Sequence, residues 1–163
     1  MSPGKYLFSA LAVSAILVTP LVYAQQGSAE AIKNRLVGSY RLVSFHAIDE
    51  SGNSVRRPYS VGRISYDSVG RMTAQLMPEG WDASSATSSS GAGFISYFGT
   101  FTIDTDIQAV IHHVEGAYNA NMLARSMVRY FELSADGNSL FLETRNEGRT
   151  TGRLQWDRIL TED

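Results

Sequence analysis

From Gly38 onward the apolar residues fall on alternate positions, in short segments rich in Val, Ile, Thr, Phe and Tyr. A period of two is that of an extended strand, whose successive side chains point to opposite faces. The segments are separated by turn chemistry: Asp49-Glu50-Ser51-Gly52-Asn53, Asp67-Ser68-Val69-Gly70, Asp104-Thr105-Asp106 and Ala135-Asp136-Gly137-Asn138. Asp bonds nearby backbone from its side chain, and Gly takes positive φ at little cost. The pattern predicts strands at Ser39–Ile48, Gly62–Tyr66, Arg71–Met77, Gly99–Asp104, Ala109–Gly116, Met127–Leu133, Ser139–Thr144 and Thr151–Leu160. A meander of this kind either closes on itself or leaves two edges open to aggregation. The expected fold is all-β, an eight-stranded antiparallel up-and-down β-barrel, wide enough to enclose side chains or one small ligand.

Two connections break the rhythm. Pro78 to Gly93, PEGWDASSATSSSGAG, is polar, rich in Ser and Gly, and long for a compact domain. Ala117 to Ser126, AYNANMLARS, is the second. Long loops at one barrel end form a mouth or lid. For Ser84–Ser90 the alternative is a serine linker without structure. Phe94 to Phe98 reads either as a helical turn or as the start of a strand. Ahead of the barrel, Gln25 to Asn34 is polar and Ala-rich and leads into a short helix ending near Leu36.

The first residues follow a different pattern. Lys5 precedes an apolar run from Tyr6 to Val18, Pro20 breaks it, and Val22-Tyr23-Ala24 follows. Small residues at Val22 and Ala24 fit cleavage after Ala24. The run is shorter than the about 20 apolar residues a membrane span needs. The expected organisation is a signal peptide at 1–24, a leader with a short helix at 25–37 and a barrel domain at 38–163, with no membrane span after cleavage. That places the protein in the periplasm or outside the cell.

Composition narrows the partners. The chain of 163 residues carries a net charge of −2 and no cysteine. An exported protein of this kind must be stable without disulfides. The mild negative charge and the lack of a Lys/Arg cluster argue against a nucleic-acid partner. No Gly-x-Ser-x-Gly, phosphate loop, His-Glu-x-x-His or Rossmann glycine pattern is present, and no cofactor is expected.

Strand alternation then sorts the candidate site residues. With Tyr40 inside, Leu42, Ser44 and His46 point in, while Arg41, Val43 and Phe45 point out. On the last strand Leu154, Trp156 and Arg158 share a face. If the first and last strands pair antiparallel, Arg158 meets Tyr40 and its guanidinium can lie on the ring. His112 and His113 are adjacent on one strand, so they face opposite ways and cannot easily share a metal; no metal site is expected. The set Val110-His112-Val114 is the more apolar, which puts His112 inward. A ligand cavity with polar walls reverses that choice, and pattern alone leaves both open. Arg129 shares a face with Met127, Phe131 and Leu133. A guanidinium there needs a partner, either Glu115 on the preceding strand or a ligand carboxylate or enolate. Tyr66 alternates with Ile64 and faces in, Gln75 faces out, and Tyr97 sits at the mouth.

Six segments, LVGSYRLVSF, GRISYDSVGRMTAQLM, SYFGTF, HHVEG, RYFEL and LQWDRIL, taken in order, resemble the lipocalin-like domain family of the calycin group. Gly38-Ser39-Tyr40 stands where lipocalins carry Gly-x-Trp, with tyrosine in place of tryptophan. The resemblance covers Leu36 to Leu160. It implies an up-and-down barrel with an internal cavity, and an arginine–aromatic contact at the closed end, here Arg158 on Tyr40. Gly38, Tyr40 and Arg158 are read as structural. His46, Tyr66, Tyr97, His112, His113, Arg129 and Trp156 are the candidate ligand-binding residues. The expected partner is a small hydrophobic or amphipathic ligand. The alternative is an isomerase or cyclase on the same barrel, using His, Arg and Tyr to polarise a bound carbonyl or move a proton.

Overall fold

The computed structural model describes residues 29–160. The expected signal peptide at 1–24 lies outside the described residues. Residues 29–36 are helical. The strands are β1 (Gly38–Ile48), β2 (Ser54–Arg56), β3 (Tyr59–Tyr66), β4 (Arg71–Pro78), β5 (Trp81–Asp82), β6 (Thr87–Ser88), β7 (Ile95–Asp104), β8 (Ala109–Ala117), β9 (Ser126–Leu133), β10 (Ser139–Asn146) and β11 (Arg149–Arg158). Eight of them form a closed antiparallel barrel in the order β11-β10-β9-β8-β7-β4-β3-β1, with β1 returning to β11. The three-residue β2 adds to the far end of β1, and β5 and β6 make a separate small hairpin. The alternation read from sequence therefore corresponds to real strands. β7 begins at Ile95, so the Phe94–Phe98 stretch is mainly strand rather than helical turn.

Chain direction fixes which end is open. The turns at Asp67–Gly70, Thr105–Gln108 and Ser134–Asn138 lie at the end where β1 begins. The long connections 79–94 and 118–125 lie at the other. The short turns are held as their Asp residues suggest: Asp67 Oδ1 accepts the Val69 and Arg71 amides at 3.1 and 2.8 Å, and Asp136 Oδ1 accepts the Asn138 amide at 3.0 Å. The serine-rich connection is folded, not a bare linker. Asp82 takes the Ser84 amide at 2.9 Å and the Ser84 and Ser85 hydroxyls at 2.7 Å, which closes the β5–β6 hairpin.

The closed end is packed solid. Leu36, at the end of the N-terminal helix, is fully buried in the core with Tyr40, Met72, Val110, Leu140 and Trp156. Tyr40 stands opposite Arg158 in the β1–β11 register. The Arg158 guanidinium carbon lies 4.7 Å from the Tyr40 ring centroid. Its nitrogens donate to the carbonyls of Gly137 (2.8 Å), Val37 (2.6 Å) and Arg35 (2.6 Å), and to the Tyr40 hydroxyl. The Tyr40 hydroxyl in turn donates to the Leu36 carbonyl at 2.9 Å. Carbonyls at a helix C-terminus have no partner within the helix, and a cation there is favoured by the dipole. One arginine thus ties the helix end, the start of β1 and the β9–β10 turn to the last strand. Gly38 has φ +146°, and a β-carbon there would strike the Arg158 guanidinium.

One register shift changes the inventory of inward residues. Between Leu42 and Ser44 the β1–β11 pairing slips, so that Val43 has no opposite number. Such a bulge reverses the alternation beyond it. Tyr40 and Leu42 face in as the pattern predicts. Past the bulge Phe45 pairs with Leu154, and His46 pairs with Arg153. Phe45 packs against the core, while Arg153 is on the outer face with Glu132 and Glu143. The expectation that Ser44 and His46 point inward and Phe45 outward is corrected: the bulge at Val43 exchanges them.

Candidate functional site

The open half of the barrel is not filled. A cavity of about 270 Å³ lies between the core and the mouth. Its walls are mainly apolar: Phe45 from β1, Ile64 from β3, Ala74 and Leu76 from β4, Ile95 from β7, Leu142 from β10, and Leu154 and Trp156 from β11. Tyr97 from β7, Arg129 from β9 and Thr144 from β10 add polar groups. The connection after β8 covers part of the mouth. There Asn119 caps a short 3₁₀ turn, Ala120–Met122, accepting the Asn121 amide at 2.9 Å. Asn119 and Met122 both line the cavity. Around the rim, Phe94 contacts the rings of Trp81 and Tyr118 with centroids 5.6 and 5.9 Å apart.

Beneath the cavity lies a chain of three side chains. His112 is fully buried. The Tyr66 hydroxyl is 2.8 Å from its Nε2 and the Tyr97 hydroxyl 3.1 Å from its Nδ1. Burial first, and then the Arg129 and His113 charges, lower the His112 pKa to about 3. The ring is therefore neutral at ordinary pH, with one N–H and one lone pair. One tyrosine must donate to it and the other must accept. Tyr66 is buried, and His112 is its one hydrogen-bond partner among the described residues. If Tyr66 accepted, its own proton would be stranded in an apolar setting, at a cost of about 1–3 kcal/mol. Tyr66 is better placed as donor to Nε2. His112 Nδ1–H then donates to Tyr97, and the Tyr97 proton is left free for the cavity. Burial also raises the pKa of Tyr66 and Tyr97, so both remain protonated donors. The Arg129 guanidinium beside Tyr97 partly offsets the effect there.

Arg129 is the second feature of the site. It lines the cavity half-buried. Its Nη1 donates to the Val128 carbonyl at 3.0 Å, and its Nη2 lies 3.4 Å from Met127 Sδ. Glu115 is exposed on the opposite face of the wall, where β8 carries an extra residue against β7. Among the described residues no carboxylate comes within ion-pair distance of Arg129. A half-buried guanidinium without a counterion is costly. Trp156 is the third feature: its ring lines the cavity, and its buried Nε1–H has no hydrogen-bond partner among the described residues.

Of the seven residues singled out from sequence, Tyr97, Arg129 and Trp156 line the cavity. Tyr66 and His112 lie behind Tyr97. His113 is on the outer face, bonded to Thr102 Oγ1 and Ser126 Oγ at 3.0 Å each, and His46 is outside for the reason given above. The adjacent histidines do point opposite ways, and of the two choices that pattern left open the structure has His112 inside. The sequence reading missed Phe45, because a bulge leaves no mark on the pattern. It also missed Asn119 and Met122, which come from a loop. Among the described residues no group of His, Cys, Asp and Glu is placed to hold a metal ion.

A second depression, of about 350 Å³, lies on the outer wall around Tyr130, Phe141, Glu143, Arg145 and Arg153. Its cations are already satisfied. Arg145 stacks 3.9 Å above the Tyr130 ring and pairs with Glu143 at 3.1 Å. Arg153 lies 4.8 Å from the Phe141 ring and pairs with Glu132 and Glu143. Nothing there requires a ligand.

An up-and-down barrel closed at one end by an arginine on an aromatic ring, and hollow at the other, is the architecture of a lipocalin-like protein. The family model described as a lipocalin-like domain matches residues 37–162, and the chain belongs to that family. A solved structure of a redesigned β-barrel is similar at 13% identity with a TM-score of 0.46, over 78% of this chain and 95% of that one. No curated protein matches the chain. Among the described residues no helix is long and apolar enough to cross a membrane.

Proposed function

We propose that this is an exported lipocalin-like protein that binds a small, mostly hydrophobic molecule in its barrel cavity. The observation that carries the reading is an apolar cavity with the Arg129 guanidinium in its wall and, among the described residues, no carboxylate beside it. Apolar walls with a few fixed polar groups are the usual make-up of a small-molecule site. A cavity of about 270 Å³ has room for roughly 10–15 non-hydrogen atoms, given ~30 Å³ per water in the liquid and closer packing inside proteins. That size suits one or two rings and excludes a long-chain lipid held wholly inside. Export rests on the Lys5, Tyr6–Val18 and Val22-Tyr23-Ala24 pattern, and the periplasm or the exterior is the proposed location.

The alternative, an isomerase or cyclase, draws on the Tyr97–His112 pair. The lowered pKa of His112 counts against its histidine serving as base: a neutral ring that protonates only near pH 3 is a weak proton acceptor at neutral pH. Binding is the better-supported role.

Titration with 1-cyanonaphthalene, a neutral fluorescent two-ring probe, tests the proposal. Saturable one-to-one binding is expected, with loss of binding in Ala74→Leu, which fills the cavity from β4. A wild-type protein that gives no saturable signal contradicts the reading. Intact mass of the exported protein checks the N-terminus: a chain beginning at Gln25 is expected, and retention of residues 1–24 in a membrane fraction contradicts export.

A further inference from the structure

The cavity offers donors to a ligand and almost no free acceptors. Arg129 has no carboxylate partner among the described residues. With His112 donating to the Tyr97 oxygen, the direction that Tyr66 behind it favours, the Tyr97 proton is left for the cavity. The other polar lining residues are engaged: Asn119 Oδ1 accepts the Asn121 amide, and Thr144 Oγ1 lies 3.2 Å from Thr151 Oγ1. A ligand hydroxyl or amine entering this site brings a proton for which the lining offers few acceptors, and a buried unpaired donor is penalised. An oxygen carrying only lone pairs answers Tyr97 and Arg129, and a negative charge suits the guanidinium.

We propose that the cavity selects a small ring-sized acid and holds it as its oxyanion, with the charged oxygen between Arg129 and Tyr97. The inference rests on the ligand-binding reading and adds the chemistry of the head group. For a phenol or enol the O–H bond breaks, the electron pair stays on oxygen, and the proton leaves to solvent water. A carboxylic acid supplies the same oxyanion already formed. The groups that set the charge around that oxygen are Arg129 from β9 and Tyr97 from β7. Neutral His112 from β8 and protonated Tyr66 from β3 stand behind them. The residues that β1, β4, β10 and β11 present to the cavity include no titratable side chain.

The test uses three probes of nearly one shape: 4-nitrophenol, 4-nitrobenzoate and neutral nitrobenzene. Phenol and phenolate forms of 4-nitrophenol absorb at different wavelengths, so its ionisation can be followed while bound to wild-type protein. An opposite charge within ~4–6 Å lowers an acid's pKa by about 1–3 units, and a fall of that order is expected for bound 4-nitrophenol. In Arg129→Met the fall should vanish and phenolate affinity should drop roughly ten- to a hundredfold, with nitrobenzene binding little changed. Tyr97→Phe should remove part of the fall. If 4-nitrobenzoate binds best, the oxyanion is a carboxylate; if 4-nitrophenol binds best as phenolate, it is a phenolate or enolate. Both outcomes support the proposal. If nitrobenzene binds as tightly as either and bound 4-nitrophenol keeps its free pKa, the oxyanion inference is overturned while ligand binding stands. If none of the three binds, both fall.

Discussion

Arg158 and Tyr40 meet at the closed end of the barrel, guanidinium over ring at 4.7 Å, with the same arginine capping the end of the N-terminal helix through Arg35 and Val37. The contact is a junction of three segments far apart in sequence. Arg158→Ala leaves the Arg35, Val37 and Gly137 carbonyls without this donor. A loss of about 2–3 kcal/mol is expected, the scale for removing charge-assisted hydrogen bonds at a partly buried site, or roughly 5–12 °C in Tm. Binding of 1-cyanonaphthalene per folded molecule should be unchanged, because Arg158 does not line the cavity. A thermal melt superimposable on wild type would remove the clamp from the account.

The bulge at Val43 makes a paired prediction. Phe45 is in the cavity wall and His46 is on the outside. Phe45→Ala should weaken binding of 1-cyanonaphthalene by roughly ten- to a hundredfold, since burying an aromatic side chain against a partner is worth about 1.5–3 kcal/mol. His46→Gln should leave affinity within a factor of two or so. Equal effects from the two changes would mean that β1 runs without the bulge.

His112 gives the protein a pH dependence whose sign follows from its environment. Its folded pKa is about 3, against 6.5 for a free histidine. Between those values the unfolded chain holds a proton that the folded chain does not. Stability is therefore full above about pH 6.5 and declines as pH falls, approaching ~1.4 kcal/mol per unit. From pH 7 to 4.5 the expected loss is about 2–3 kcal/mol. The turn aspartates act lower: Asp82, held down first by the Ser85 hydroxyl, has a pKa of about 2. Urea melts across pH 7 to 4.5 should show the decline in wild type and in His113→Gln, and a flatter profile in His112→Gln. An unchanged slope in His112→Gln would show that the ring is not the group responsible.

Much of this was legible in the chain because alternation is a local signal with a global meaning. The barrel strands carry a period of two, broken in β1 at the Val43 bulge, and eight of them in sequence either close or leave two open edges. The Tyr40–Arg158 contact could be read because the two residues sit at opposite ends of strands that must pair if the barrel closes. That His112 and His113 face opposite ways could be read from their adjacency, but which of them faces in could not, because a polar-walled cavity reverses the apolar pattern. The site was harder. The Val43 bulge depends on how β1 fits β11 in three dimensions, and it moved Phe45 in and His46 out. Asn119 and Met122 reach the cavity from a connection with no periodicity. The pairing of Arg129 with Glu115, one of two partners the sequence allowed, fails because Glu115 shares the outer face of β8 with His113 once His112 points in.

The central claim is that the hollow half of the barrel, and not its outer wall, is where a ligand goes. The chain has two tryptophans, so its indole N–H groups give two signals in a ¹H–¹⁵N correlation spectrum, one from Trp81 near the rim and one from Trp156 in the cavity wall. Titration with 1-cyanonaphthalene should move the Trp156 indole signal in a saturable way, because the aromatic ligand lies against an indole that lines the cavity, and should move the methyl signals of Ile95, Leu142 and Leu154 with it. Shifts confined to the outer depression around Tyr130, Phe141 and Arg153, with the Trp156 indole unmoved, would contradict it.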